Sequence, residues 1–182
     1  MTPPDFLFIG EMRMLKGPDL MLHAMHRLKA EGSQNISAIM VGDGPDRDEI
    51  QALITQLNLQ ANVTMRPPMP ARAAFELAKT VVMPSRAEAM PYIVLEALGA
   101  HMPLIATKVG GIPEIFGTVS DILIEPTIHD LTIKMRMALG DLTALKSRMP
   151  DHAALKANFS VEAMASTMLD VYETAIKSRN SA

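Results

Sequence analysis

No cysteine occurs in this chain of 182 residues, so disulfides, thiolate metal sites and a cysteine nucleophile are all excluded. Aromatic residues make up only 4% of the chain against 16 methionines, which calls for an aliphatic core filled by adaptable thioethers. Positive charge is not in surplus: 17 basic residues face 20 acidic ones, a net charge of −3. That balance offers no electrostatic footprint for nucleic acid. No run of about 18 apolar residues is present to span a membrane. The start, MTPPDFLFIG, lacks the charged and then apolar pattern of a signal peptide. A cytoplasmic globular chain is the expectation, with 48% hydrophobic residues and 20% charged, enough for one cored domain.

Short apolar runs alternate with helical ones. Strands are expected over 5–10, 36–42, 62–66, 80–85, 103–107 and 120–125. Helices are expected over 17–32, 46–59, 71–79, from about Tyr92, and in the tail over about 127–140, 141–157 and 160–178. Apolar strands between helices imply βαβ units, hence a Rossmann-like, doubly wound parallel sheet of about six strands with C-terminal helices. In such sheets ligands bind beyond the carboxyl ends of the strands.

The loop after the first strand, GEMRMLKG, combines Gly10, Arg13, Lys16 and Gly17 ahead of a helix start, a set suited to an anion. A solvated loop lysine is the plain alternative. The later VGDGP is a glycine turn without full phosphate-loop spacing. The acids of Asp46-Arg47-Asp48 suit the first turn of a helix better than a metal. His23 and His26 share a helix face without a third ligand.

SRAEAMPYIVLEA places Glu88 in a loop and Glu96 about one turn inside a helix that begins after Pro91. Apolar residues cover most of that helix, so burial of Glu96, and a partner for it, are expected. Amides near Tyr92 and Ile93 have no helical acceptor and point toward the strand ends. Lysine and amides suit phosphates, whereas carboxylates accept from neighbouring hydroxyls. Together they outline a site for a nucleotide-sugar. Alternatively, Glu88 complements the helix dipole and Glu96 lies on an exposed stripe.

The ordered set GEMRMLKG, VGDGP, SRAEAMPYIVLEA, PLIATKVGGIPE and FSVEAMASTMLDVYE resembles the retaining GT-B glycosyltransferases of family four, the glycosyl transferases group. The pair Glu88 and Glu96, separated by seven residues, matches that family's hallmark. The resemblance implies transfer of a hexosyl group from a UDP- or GDP-sugar with the anomeric configuration kept. It implies Lys16 on the donor diphosphate, Glu96 on the ribose hydroxyls and Glu88, the catalytic candidate, on the transferred sugar. It further implies phosphate contacts from the amides of Tyr92 and Ile93, base contacts around Arg66, and Gly10 and Met90 in the same donor set. No metal or other cofactor is implied, since the donor is itself a substrate.

The chain departs from the family's pattern in places. Glu11 stands where an arginine is common, with Arg13 as a substitute, and Met90-Pro91 replaces a Phe-Gly pair. His101 stands at the usual helix-ending glycine. The resemblance makes residues 1–182 the donor-binding half of the enzyme, with an N-terminal acceptor domain absent and the half inactive alone. A non-catalytic nucleotide-sugar-binding module, or a subunit of a split enzyme, is the alternative. Peripheral membrane association of the full enzyme, and self-association through an apolar stripe on the last helix (Val161, Met164, Met168, Val171, Tyr172, Ala175), complete the expected partners.

Overall fold

The strand segments are apolar at nearly every position, and the computed structural model, which describes residues 2–180, lays them side by side in one parallel sheet. The strands are β1 (Phe6–Ile9), β2 (Ala38–Val41), β3 (Val63–Arg66), β4 (Thr80–Met83) and β5 (Leu104–Ala106). Their spatial order is β3-β2-β1-β4-β5. β1, β2, β4 and β5 are buried throughout, as a sheet covered on both faces requires, whereas β3 at the edge alternates. Helix α1 (Pro18–Ala30), α2 (Arg47–Gln56) and α6 (Ile128–Gly140) build the core over one face, against Phe6, Phe8, Ala38 and Met40. Alternate strand residues point the other way, toward α3 (Ala71–Phe75) and α4 (Tyr92–Gly99).

Among the described residues five strands form where about six are expected. Residues 120–125 do not make a strand, because Gly117, at φ 53°, turns the chain into a 3-10 stretch over Gly117–Ile122. Only Ile124 reaches the sheet edge, through a single bridge to Thr107. The chain also forms a short α5 (Ile112–Phe116) that the sequence reading omits. The helix expected over 141–157 is split into α7 (Leu142–Lys146) and α8 (His152–Phe159). Pro150 cannot continue the helical hydrogen bonds, and the Asp151 side chain caps α8 by accepting from the Ala154 amide.

His101, at φ 57°, occupies the left-handed position after α4. Its amide donates to Leu98 and that of Met102 to Ala97, the paired bonds of a Schellman ending. The chain divides into two compact units, one up to Met149 and one from Pro150. The second consists of α8 and α9 (Val161–Asn180), with Met164 and Met168 of the expected stripe each 55% exposed. Among the described residues no helix is long and apolar enough to cross a membrane.

Strand order fixes where a crevice opens. β1, β2 and β3 succeed one another in one direction, and the chain then returns to lay β4 on the other side of β1. The loops after β1 and β4 therefore leave in opposite directions, the topological switch point at which doubly wound sheets bind ligands. Pairing between β1 and β4 covers only Phe6 with Thr80 and Leu7 with Val81. Beyond these pairs no further β1–β4 pairing continues.

Candidate functional site

A cavity of about 310 Å³ occupies this crevice, lined by Phe8, Ile9 and Met83 from the strands and by residues of the two loops. Of the residues expected at a site, it gathers Gly10, Lys16, Glu88, Met90, Tyr92 and Ile93.

The first loop is shaped from below by its neighbours. Gly10 donates its amide to Val41, and Gly42, at φ 147°, packs so closely that a Cβ there would lie 1.9 Å from the Gly10 carbonyl oxygen. The Asp46 carboxylate accepts from the Met14 amide at 2.7 Å. Asp46 therefore braces the loop, which gives the first acid of that pair a structural task. A 3-10 turn, Met14–Lys16, then leads into Gly17 at φ 72°. A Cβ on Gly17 would stand 2.0 Å from the Pro84 carbonyl oxygen. Only glycine allows both the left-handed conformation and this approach of the two loops.

The second loop carries Glu88, whose side chain is only 6% exposed. Lys16 Nζ donates to Glu88 Oε2 at 2.8 Å, and Ser85 Oγ donates to Glu88 Oε1 at 2.7 Å. Ser85 is fully buried, and its carbonyl accepts from Thr107 Oγ1 at 2.6 Å. Both carboxylate oxygens are thus engaged and the group is held in one orientation. The loop of Gly110 and Gly111 closes over the same backbone. A Cβ at Gly110 would sit 1.6 Å from the Glu88 carbonyl oxygen, and the Gly111 amide donates to Ala89 at 3.0 Å.

Pro91 precedes α4 in extended conformation, so the helix begins at Tyr92 as expected. The amides of Tyr92 and Ile93 have no acceptor among the described residues, as first-turn amides of a helix do not. Both residues line the cavity. Beside it, Arg86 donates to both oxygens of Asp19, at 2.7 and 2.6 Å. Hydrogen bonding to Asp19 raises the Arg86 pKa against the opposing effect of burial, so the guanidinium stays charged.

Three expected residues lie elsewhere. Arg13 folds onto Glu11 at 3.1 Å, on the exposed rim, and does not line the cavity, although Glu11 does. Arg66 is exposed at the end of edge strand β3, where its carbonyl accepts from the Gly42 amide. Glu96 is exposed, contrary to the burial expected of it. Helix α4 buries Val94, Ala97 and Leu98, leaves Ile93 and Leu95 half-buried, and turns Tyr92, Glu96 and Gly99 outward. Glu96 borders a separate depression of about 550 Å³ together with Arg72 and Glu76.

Ser85, Arg86 with Asp19, and the Gly110-Gly111 pair are the residues that the sequence reading missed. Ser85 stands three residues before Glu88, a local spacing that offered a signal. The link between Arg86 and Asp19 spans 67 residues and leaves no local trace.

The family described as Glycosyl transferases group 1 matches residues 1–150. D-inositol 3-phosphate glycosyltransferase 1 of Catenulispora acidiphila is 31% identical, with 94% of this chain and 44% of that protein covered. D-inositol 3-phosphate glycosyltransferase of Streptomyces coelicolor is 33% identical, over 94% of this chain and 40% of that protein. The chain thus spans less than half the length of these relatives. A glycosyltransferase structure from Rickettsia africae superposes with a TM-score of 0.82 at 20% identity, covering 97% of this chain and 49% of that one. Anabaena HepE, solved with UDP and glucose, superposes at 0.80 with 17% identity, over 94% of this chain and 49% of that one. The C-terminal domain of LpcC, a glycosyl transferase group 1 protein of Francisella tularensis, superposes at 0.71 with 20% identity, over 87% of each chain. The chain belongs to the Glycosyl transferases group 1 family and has the α/β fold of the GT-B glycosyltransferases.

Proposed function

We propose that residues 1–182 form the donor-binding part of a glycosyltransferase, and that the cavity between β1 and β4 takes the diphosphate and sugar of a nucleotide-sugar. The observation that carries this reading is the convergence at one cavity of the Lys16 ammonium, two free helix amides and the nearly buried Glu88 carboxylate. Cation and amides supply opposite charge and donors for phosphate oxygens. An ionised carboxylate accepts only, so Glu88 suits sugar hydroxyls and positive charge that develops at the anomeric carbon. We place Gly10 and Met90 against the donor from either side. Glu96 lies one turn beyond Tyr92 on the same outward stripe of α4, about 6 Å along the axis. A nucleoside extending from phosphates at the start of α4 along that stripe brings its ribose to Glu96. Its base then turns toward the strand ends, on the side of Arg66.

The reaction we assign breaks the bond from the anomeric carbon to the diphosphate, releases the nucleoside diphosphate and attaches the hexosyl group to an acceptor with its configuration kept. A separate acceptor-binding half is required. Placing an acceptor correctly is worth about 7–11 kcal/mol of barrier. UDP-, GDP- and ADP-sugars titrated into the purified chain, followed by an assay of transfer, test the assignment. Binding of one of them without transfer is expected, with transfer appearing when an acceptor half is supplied. Transfer by the chain alone contradicts the half-enzyme reading, and failure to bind any of them contradicts the donor site.

A further inference from the structure

Lys16 and Glu88 sit on different loops, and their own hydrogen bond is not the main tie between those loops. Arg86, two residues before Glu88, reaches across to the other loop. Its guanidinium forks onto Asp19 through Nη1 and Nη2, at 2.7 and 2.6 Å, and Nη1 also donates to the Met14 carbonyl. Its backbone amide donates to the Leu15 carbonyl at 2.8 Å. One residue thus bonds to Met14, Leu15 and Asp19, which bracket Lys16 on both sides. Pro84, on the same loop as Arg86, meets Gly17 at the approach that only glycine allows. The Asp19 side chain is 18% exposed and that of Arg86 36%, so the pair is partly shielded from water and salt. A two-pronged Arg–carboxylate contact fixes orientation as well as distance.

We infer that Arg86, with Asp19 as its partner, is a positioning residue of the cavity: it sets the Lys16 loop against the Glu88 loop and so aims the Lys16 ammonium. The inference rests on the reading of this cavity as a diphosphate site. Arg86 does not line the cavity, so its effect passes through Lys16 and Glu88. The Lys16–Glu88 bond cannot serve as the sole tie, because a bound diphosphate competes with Glu88 for the same ammonium. The Arg86 fork has no part in that competition and holds the loops when Lys16 turns to phosphate.

The test is a cycle of variants. UDP, GDP and ADP are titrated by calorimetry into the parent chain, and the tightest binder is carried forward as probe. Its affinity is then measured for Arg86→Met, Lys16→Met and the double variant, together with each denaturation midpoint. Residues acting through one another give non-additive losses. Arg86→Met should lose about 5- to 10-fold, Lys16→Met about 10-fold or more, and the double variant should fall within about 2-fold of Lys16→Met. Arg86→Lys keeps the charge without the fork and should resemble Arg86→Met. If Arg86→Met does not fold, Asp19→Asn takes its place, since it keeps the shape and breaks the charged pair. Losses that multiply in the double variant overturn the inference. So does a lowered midpoint with unchanged affinity, since Arg86 then only stabilises the fold. A parent that binds none of the three nucleotides overturns the donor-site reading and this inference together.

Discussion

Lys16 Nζ and Glu88 Oε2 lie 2.8 Å apart across 72 residues of chain, so the cation and the carboxylate proposed to meet a donor's phosphate and sugar are each other's partners. A diphosphate therefore competes with Glu88 for the ammonium. A charge-assisted hydrogen bond to phosphate is worth about 1.5–3 kcal/mol, and Lys16→Ala should weaken nucleotide binding by about 10- to 150-fold. The same change leaves the nearly buried Glu88 with Ser85 as its remaining side-chain partner. Stability should then fall by about 1–2 kcal/mol, short of a fully buried pair because Lys16 is partly exposed. Adding Glu88→Gln should restore part of that loss. Calorimetry and denaturant unfolding read the two effects separately, and unchanged nucleotide affinity removes Lys16 from the site.

Glu96 carries a different prediction because it is exposed and outside the cavity. Glu96→Gln should leave the free energy of unfolding unchanged within about 0.5 kcal/mol, as surface substitutions do. If the ribose is its ligand, the variant should lose affinity for a ribonucleotide and little for the 2′-deoxy analogue. An equal loss for both nucleotides shows that Glu96 does not read the ribose hydroxyls.

Gly110 holds the Glu88 loop from above. At φ 53°, with a Cβ that would stand 1.6 Å from the Glu88 carbonyl oxygen, it tolerates no side chain without movement of that backbone. Gly110→Ala should cost about 1–3 kcal/mol and weaken nucleotide binding at the same time. Gly140→Ala, where an added Cβ meets nothing within 4 Å, is the control and should do neither. A Gly110→Ala protein with parental stability and affinity contradicts the close approach.

Lys134, half-buried on α6, has its pKa lowered by burial first and by the charge of Arg148 next, with Asp121 opposing. The folded state therefore holds this proton less tightly than the unfolded chain does. Stability should rise with pH through the window just below the unfolded lysine value of about 10.4. Lys134→Met removes the cost of the buried charge and should raise the denaturation midpoint at neutral pH. That gain should shrink as the pH passes about 10. A gain that stays constant to pH 11 assigns the effect to packing instead.

Residues near one another in sequence explain what was legible. Apolar strands between helices gave the parallel sheet, and Pro91 marked the start of α4 and with it the free amides of Tyr92 and Ile93. Gly10, Lys16 and Glu88 follow because loops after parallel strands leave from the same carboxyl end of the sheet. The burial expected of Glu96 did not hold, because Ile93, Val94, Leu95, Ala97 and Leu98 surround the helix with apolar residues and hide which side packs. The outward side is decided by what α4 lies against, which a periodicity cannot contain. The missing sixth strand has the same origin: SDILIE has strand character, but Gly117 reverses the chain ahead of it. The Arg86–Asp19 fork joins residues 67 apart, and only the fold brings them together.

Backbone amide NMR of the chain, titrated with UDP, GDP and ADP, shows whether the β1–β4 crevice takes the donor's diphosphate. At least one of the three should move the amide resonances of Gly10, Lys16, Tyr92 and Ile93. Those of Asp5, Phe6 and Thr80, at the amino ends of β1 and β4, should stay in place. Shifts confined to those amino ends, or no shifts with any of the three nucleotides at millimolar concentration, would contradict it.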